Sequence, residues 1–158
     1  MALELFGVNL DSTNREELRG AVESAGAVLI REGSDADWFD VYDSSSALVG
    51  STHLYLGFVK QDQRFAFAEY EFRGLNPKQL LHNLTIKYGA AEFRVGKFVS
   101  DWKYRWQHDG IEIELNSDWQ NYKIHLSYIN PANMADLLAE QSTYNDQVKA
   151  EANEISLY

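Results

Sequence analysis

Two stretches decide the reading of this chain: Tyr70-Glu71-Phe72-Arg73-Gly74-Leu75-Asn76-Pro77 and Leu126-Ser127-Tyr128-Ile129-Asn130-Pro131. In each, strand-type residues run into Asn-Pro, and residues at helical spacing follow. Asn is a preferred helix cap, and Pro at the first helical position loses an amide that would be unpaired anyway. Ahead of each strand end lie several short strand-like runs, and ahead of those a helical segment closed by Gly. The layout predicts an α+β protein, a twisted antiparallel sheet with helices packed on one face. It forms one domain over residues 1–150, with pseudo-repeated helix-plus-meander units at 13–75 and 76–130. A C-terminal helix over 131–150 and a loose tail over 151–158 complete the expectation.

Working outward, the second unit is the more explicit. Asp109-Gly110 is a two-residue turn that demands positive φ at both positions, so it sets a hairpin register. Trp106 then faces Ile113 and Tyr104 faces Leu115, while Arg105 faces Glu114 and Gln107 faces Glu112. Apolar and charged sets separate onto two faces, as one buried face requires. Pairing Ile113 with Ile124 on the next strand puts Lys123 beside Glu114 and His125 beside Glu112. One face is then core and the other a solvated charge ladder.

In the first unit residues 3–10 read as a strand. Thr13 and Glu16 have the spacing of a capping box, and Leu18, Ala21, Val22 and Ala25 predict a helix over 14–25 ended by Gly26. Residues 52–59 and 64–72 form a hairpin whose register is open: Phe58 faces Phe65 or Ala66, depending on the loop. Strand 64–72 is apolar on both faces, a pattern that calls for cover on both sides, from the protein or from a partner.

Composition narrows the function classes. With 158 residues the chain is long enough for a core without staples, and its net charge of −10 argues against nucleic acid or an anionic membrane as partner. Cysteine is absent, which removes thiolate chemistry and disulfides. No apolar run reaches membrane-span length. The start fits a cytoplasmic chain, or a periplasmic one whose leader has been removed.

No catalytic or cofactor signature emerges, so the expectation is a non-enzyme with no cofactor and no metal. Glu112 with Glu114, and Glu69 with Glu71, place carboxylates on one strand face, where alternating charge is the ordinary solvent pattern. Asp35, Asp37, Asp40 and Asp43 lack calcium-loop spacing. The Ser44-Ser45-Ser46 run lacks a nucleophile elbow. His53 beside Glu69 or Glu71 forms a candidate polar pair. Aromatics make up 13% of the chain, and Tyr55, Phe65, Phe67 and Trp119 are candidate interface residues, Trp119 because it sits in a polar loop.

The helix end Leu84-Thr85-Ile86-Lys87-Tyr88-Gly89, followed by Trp102-Lys103-Tyr104-Arg105-Trp106 and Ile111-Glu112-Ile113, resembles in layout the β-lactamase-inhibitor-protein fold and the related BamE-like lipoproteins. That resemblance, over residues 13–130, implies a non-catalytic protein binder of the bacterial envelope. The lipid-attachment cysteine and the inhibitors' disulfides are missing here. The leading expectation is a protein-binding module whose partner is another protein or a second copy. The alternative is a small-molecule-binding protein or small hydrolase with a pocket between sheet and helices, using His53, Glu69 and Glu71.

Overall fold

Residues 3–10 form a tight hairpin in place of the single strand expected. Phe6 (φ 55°) and Gly7 (φ 76°) turn the chain between β1 (Glu4–Leu5) and β2 (Val8–Asn9). The computed structural model describes residues 3–35, 38–95, 102–118 and 123–156. Helix α1 (Arg15–Ser24) starts one residue later than the capping box implied. The Asn14 side chain accepts from the Glu17 amide at 2.9 Å, while Thr13 is buried. Four strands follow, β3 (Val28–Arg31), β4 (Phe39–Asp43), β5 (Ser51–Phe58) and β6 (Phe65–Arg73). Helix α2 (Pro77–Tyr88) is capped by Asn76 and closed at Gly89 (φ 89°), as its sequence predicts. Four more strands, β7 (Glu92–Val95), β8 (Trp102–His108), β9 (Ile111–Asp118) and β10 (Lys123–Ile129), lead to α3 (Pro131–Ser156). The helix continues through the segment expected to be a loose tail.

The eight strands β3 to β10 form one antiparallel sheet in the order β3-β4-β5-β6-β10-β9-β8-β7. Each half has the same element order, a helix and then a four-stranded meander, and the closing strands β6 and β10 pair in the middle. The β8–β9 hairpin has the register that Asp109-Gly110 demands, with Trp106 opposite Ile113 and Arg105 opposite Glu114. The next pairing differs from expectation. Ile113 faces Tyr128, not Ile124, and Lys123 and His125 face Asp118 and Asn116. The shift is even, so every side chain keeps its face. In the β5–β6 hairpin both registers occur: Gly57 faces Phe67, and a bulge then brings Phe58 opposite Phe65.

Alternation sorts the strands. Tyr42, Leu54, Leu56, Ala68, Tyr70, Phe72, Ile113, Leu115, Ile124 and Leu126 point to one face and are buried there with Leu18 and Val22 of α1 and Leu84 of α2. Tyr88 Oη meets Tyr128 Oη at 3.3 Å, and Trp106 Nε1 donates to the Gly89 carbonyl at 2.8 Å, fixing α2 across β8–β10. The expectation of helices on one face holds for α1 and α2 but not for α3. Leu137 packs on the opposite face, where a Cβ at Gly57 would meet it at 3.2 Å. Asn133 Nδ2 donates to the Phe65 carbonyl at 2.8 Å, and Glu140 accepts from the Lys60 and Gln61 amides at 2.7 and 3.0 Å. Thus α3 crosses one end of the second face and leaves the rest of it uncovered by a helix.

Candidate functional site

The remainder of that second face carries the polar residues singled out by sequence. Period-two alternation puts Phe67, Glu69, Glu71 and Arg73 of β6 on one side. Cross-strand pairing then builds two rows. One runs Asp43, His53, Glu71, His125, Asn116, Lys103; the next runs Val41, Tyr55, Glu69, Ser127, Glu114, Arg105. His53, Glu69 and Glu71 are therefore brought together, with Tyr55 among them.

Glu71 is the centre. It is almost fully buried, yet four side chains converge on its carboxylate. Tyr55 Oη donates to Oε2 at 3.2 Å and Arg73 Nε donates to Oε1 at 3.2 Å. Lys123 Nζ lies 3.2 Å from Oε1, and His53 Nδ1 lies 3.5 Å from Oε2. Burial alone would raise its pKa, but Lys123, Arg73 and Tyr55 outweigh that and hold it below the usual carboxylate range. The same burial, with the negative Glu71 beside it, pushes the Tyr55 phenol up. Glu69 accepts from Ser127 Oγ at 2.9 Å and faces His125 Nδ1 at 3.7 Å. Further along, Arg105 pairs with Glu112 and lies 3.9 Å from Glu114, which Lys103 reaches at 3.5 Å.

Two of the aromatics expected at an interface are elsewhere. Phe65 is buried in the main core, in edge contact with Phe58. Phe67 is buried under α3 and the rings of Phe39 and Trp38. The cover that strand 64–72 required comes from the chain itself. Trp119 lies outside the described residues. Of the acidic cluster, Asp37 also lies outside them, Asp40 points into the core, and Asp43 binds its own loop through Ser45. Among the described residues no three His, Asp or Glu side chains converge as metal ligands.

Sequence reasoning missed Lys123, Arg73 and Ser127 as partners of the two glutamates. The Lys123 and Ser127 contacts depend on the β6–β10 pairing, which joins distant segments and leaves no local signal, whereas Arg73 lies two residues from Glu71 on the same face of β6. A second feature is an open cleft of about 130 Å³ between α3 and the β5–β6 end of the sheet. Trp38, Phe58, Leu137 and Tyr144 line it, with Arg15 and Asp40 among its polar groups. Its volume lies below the range of about 300–1,000 Å³ usual for small-molecule sites. His53, Glu69 and Glu71 do not line it.

No protein-family model matches the sequence, and no curated protein sequence does. Among solved structures, the fold is similar to that of a DUF4309 family protein, YjgB, from Bacillus subtilis subsp. subtilis str. 168. The TM-score is 0.51 at 13% identity, over 81% of this chain and 86% of that one. At that identity the likeness is one of fold.

Proposed function

We propose that this chain is a non-enzymatic protein-binding module that meets its partner with the polar outer face of strands β5, β6, β10, β9 and β8. The observation that carries this reading is the organisation of that face. Its side chains are tied into ordered rows by the contacts around Glu71, Glu69 and Glu114, so they are held in place before any partner arrives. Pre-organised polar groups lose little entropy on binding. The half-buried Tyr55 supplies an aromatic of the kind enriched at interfaces. The layout resemblance to β-lactamase-inhibitor proteins belongs to the same proposal.

A photo-crosslinking amino acid placed at Lys103, on this face, tests it against one at Glu17 on α1. The expected result is a discrete protein adduct from position 103 only; a homodimer adduct would identify the partner as a second copy. Equal labelling from both positions, or none from position 103, counts against the reading.

The lining of the cleft, aromatic rings beside the Arg15–Asp40 pair, favours a second reading, a site beside Trp38 for a very small molecule. It predicts that a bound compound quenches indole fluorescence and raises the melting temperature, and that both effects vanish in Trp38→Phe.

A further inference from the structure

The polar face is stratified by charge. Glu71, Glu112 and Glu114 expose only 3, 14 and 16% of their side chains, whereas Lys103 and Arg73 expose 47 and 58%. Arg105 and Lys123 are intermediate. Glu69 is the exception, with 31% of its side chain exposed against 23% for Lys123; Ser127 Oγ donates to it and it faces His125. The physical cause is side-chain length. Arg and Lys bury their stems and carry the charge outward, while the shorter glutamates stay near the sheet and are neutralised there. Four glutamates face four Lys and Arg residues on β6, β10, β9 and β8, and Asp118 adds one carboxylate at the end of β9, on a chain of net charge −10. Glu71, Glu112 and Glu114 form the lower layer, and the heads of Arg73, Lys103 and Arg105 form the layer a partner touches.

From this we infer that the partner presents a carboxylate-rich protein surface to β6, β10, β9 and β8. The inference rests on the proposed binding role of this face and names the chemistry of its partner. Charge complementarity selects it. A basic partner would find Glu69 within reach but would meet the other three glutamates only by displacing Arg73, Lys103 and Arg105 from them. The net charge of −10 repels any polyanion at long range, a nucleic acid along its whole length and an acidic protein patch over a smaller area. An acidic protein patch needs to satisfy only the local layer, and its opposing charges tune on-rate and specificity.

The test is amide chemical-shift mapping of the whole chain titrated at low salt with poly-L-glutamate, poly-L-lysine and a single-stranded oligodeoxynucleotide. With poly-L-glutamate, the amides around Glu71–Arg73, Lys103–Arg105 and Lys123–His125 should shift, and raised salt should abolish the shifts. Lys103→Gln should weaken the effect roughly 2–5-fold, the ordinary weight of one exposed charge pair, with an unchanged melting temperature. Salt dependence in the unmodified chain gives a readout that needs no variant. No response of these amides to poly-L-glutamate overturns the inference. So does a stronger response to the oligonucleotide, which would mean phosphate recognition. A response here to poly-L-lysine alone also overturns it while leaving the face a binding surface, whereas failure of the position 103 crosslink strikes the binding role itself.

Discussion

The Arg15 guanidinium holds the Asp40 carboxylate with two hydrogen bonds of 2.9 Å, joining the first turn of α1 to the inner face of β4. The Gly33 amide adds a third bond to Asp40 at 2.8 Å. Burial would raise the Asp40 pKa, but Arg15 and the Gly33 amide prevail and hold it low. Removing either partner leaves a buried charge uncompensated. Asp40→Asn is expected to cost about 2–3 kcal/mol in urea unfolding. An unchanged midpoint would show that the pair contributes nothing to α1 docking.

Glu71→Gln is expected to cost about 2 kcal/mol at neutral pH, because Lys123 and Arg73 lose their shared anion. The Glu71 pKa is depressed in the folded state, so its stabilisation is present above the unfolded value of about 4.3 and is lost as pH falls through the folded value. The stability gap between wild type and variant should therefore narrow towards about pH 3. A gap independent of pH would be incompatible with an ionised, paired Glu71.

Gly57→Ala tests the docking of α3. A Cβ there would run into the Phe67 ring and press on Leu137. Phe67 has little room to yield, since Trp38, Phe39 and α3 surround it. The expected loss is about 1–3 kcal/mol, with a changed near-ultraviolet circular dichroism signal from Trp38. Wild-type stability in this variant would mean that α3 is not seated as described.

Several phenols resist ionisation. Burial pushes Tyr42 up to about 12, with its hydroxyl held between Arg19 and Glu23, and burial also raises Tyr70 and Tyr128. Each stays neutral in the folded protein above the ordinary value of about 10, so stability is retained below that pH and lost as pH rises beyond it. Absorbance titration should show these tyrosines ionising together with unfolding. Their ionisation near pH 10 with the native circular dichroism intact would refute the buried placement.

Strand β3 is an exposed sheet edge bearing Val28, Leu29 and Ile30. Such an edge invites pairing with other chains. Ile30→Lys should change stability by less than about 0.5 kcal/mol, because the side chain is already exposed, and should raise the solubility limit. A large destabilisation would place Ile30 in the core.

What could be read from sequence follows from how local each signal is. The β8–β9 register was legible because Asp109 and Gly110 settle it within two residues. The β9–β10 register was not, since the sequence between those strands, Trp119-Gln120-Asn121-Tyr122, has no comparable turn signature. Its error was even, so the charged face was assigned correctly with the wrong neighbours. Candidates His53, Glu69 and Glu71 converge because alternation alone puts them on one face. Phe65 and Phe67 were misjudged as interface residues for the opposite reason. Past the bulge Phe65 turns into the main core, Phe67 is covered by α3, and nothing within strand 64–72 distinguishes shielding by the rest of the chain from shielding by a partner.

The central pairing of β6 with β10 has a kinetic side. Strand β6 completes the first meander, yet its outer edge waits for β10, and Phe67 waits for a helix whose Asn133 binds the Phe65 carbonyl from 68 positions further along the chain. A nascent chain that has emerged only as far as β6 holds a strand apolar on both sides with an open edge, a species prone to self-adhesion. The two halves are therefore interdependent in folding despite their shared element order. Severing the chain after Arg73 should give a first half that precipitates when expressed alone and becomes soluble when the second half is supplied with it.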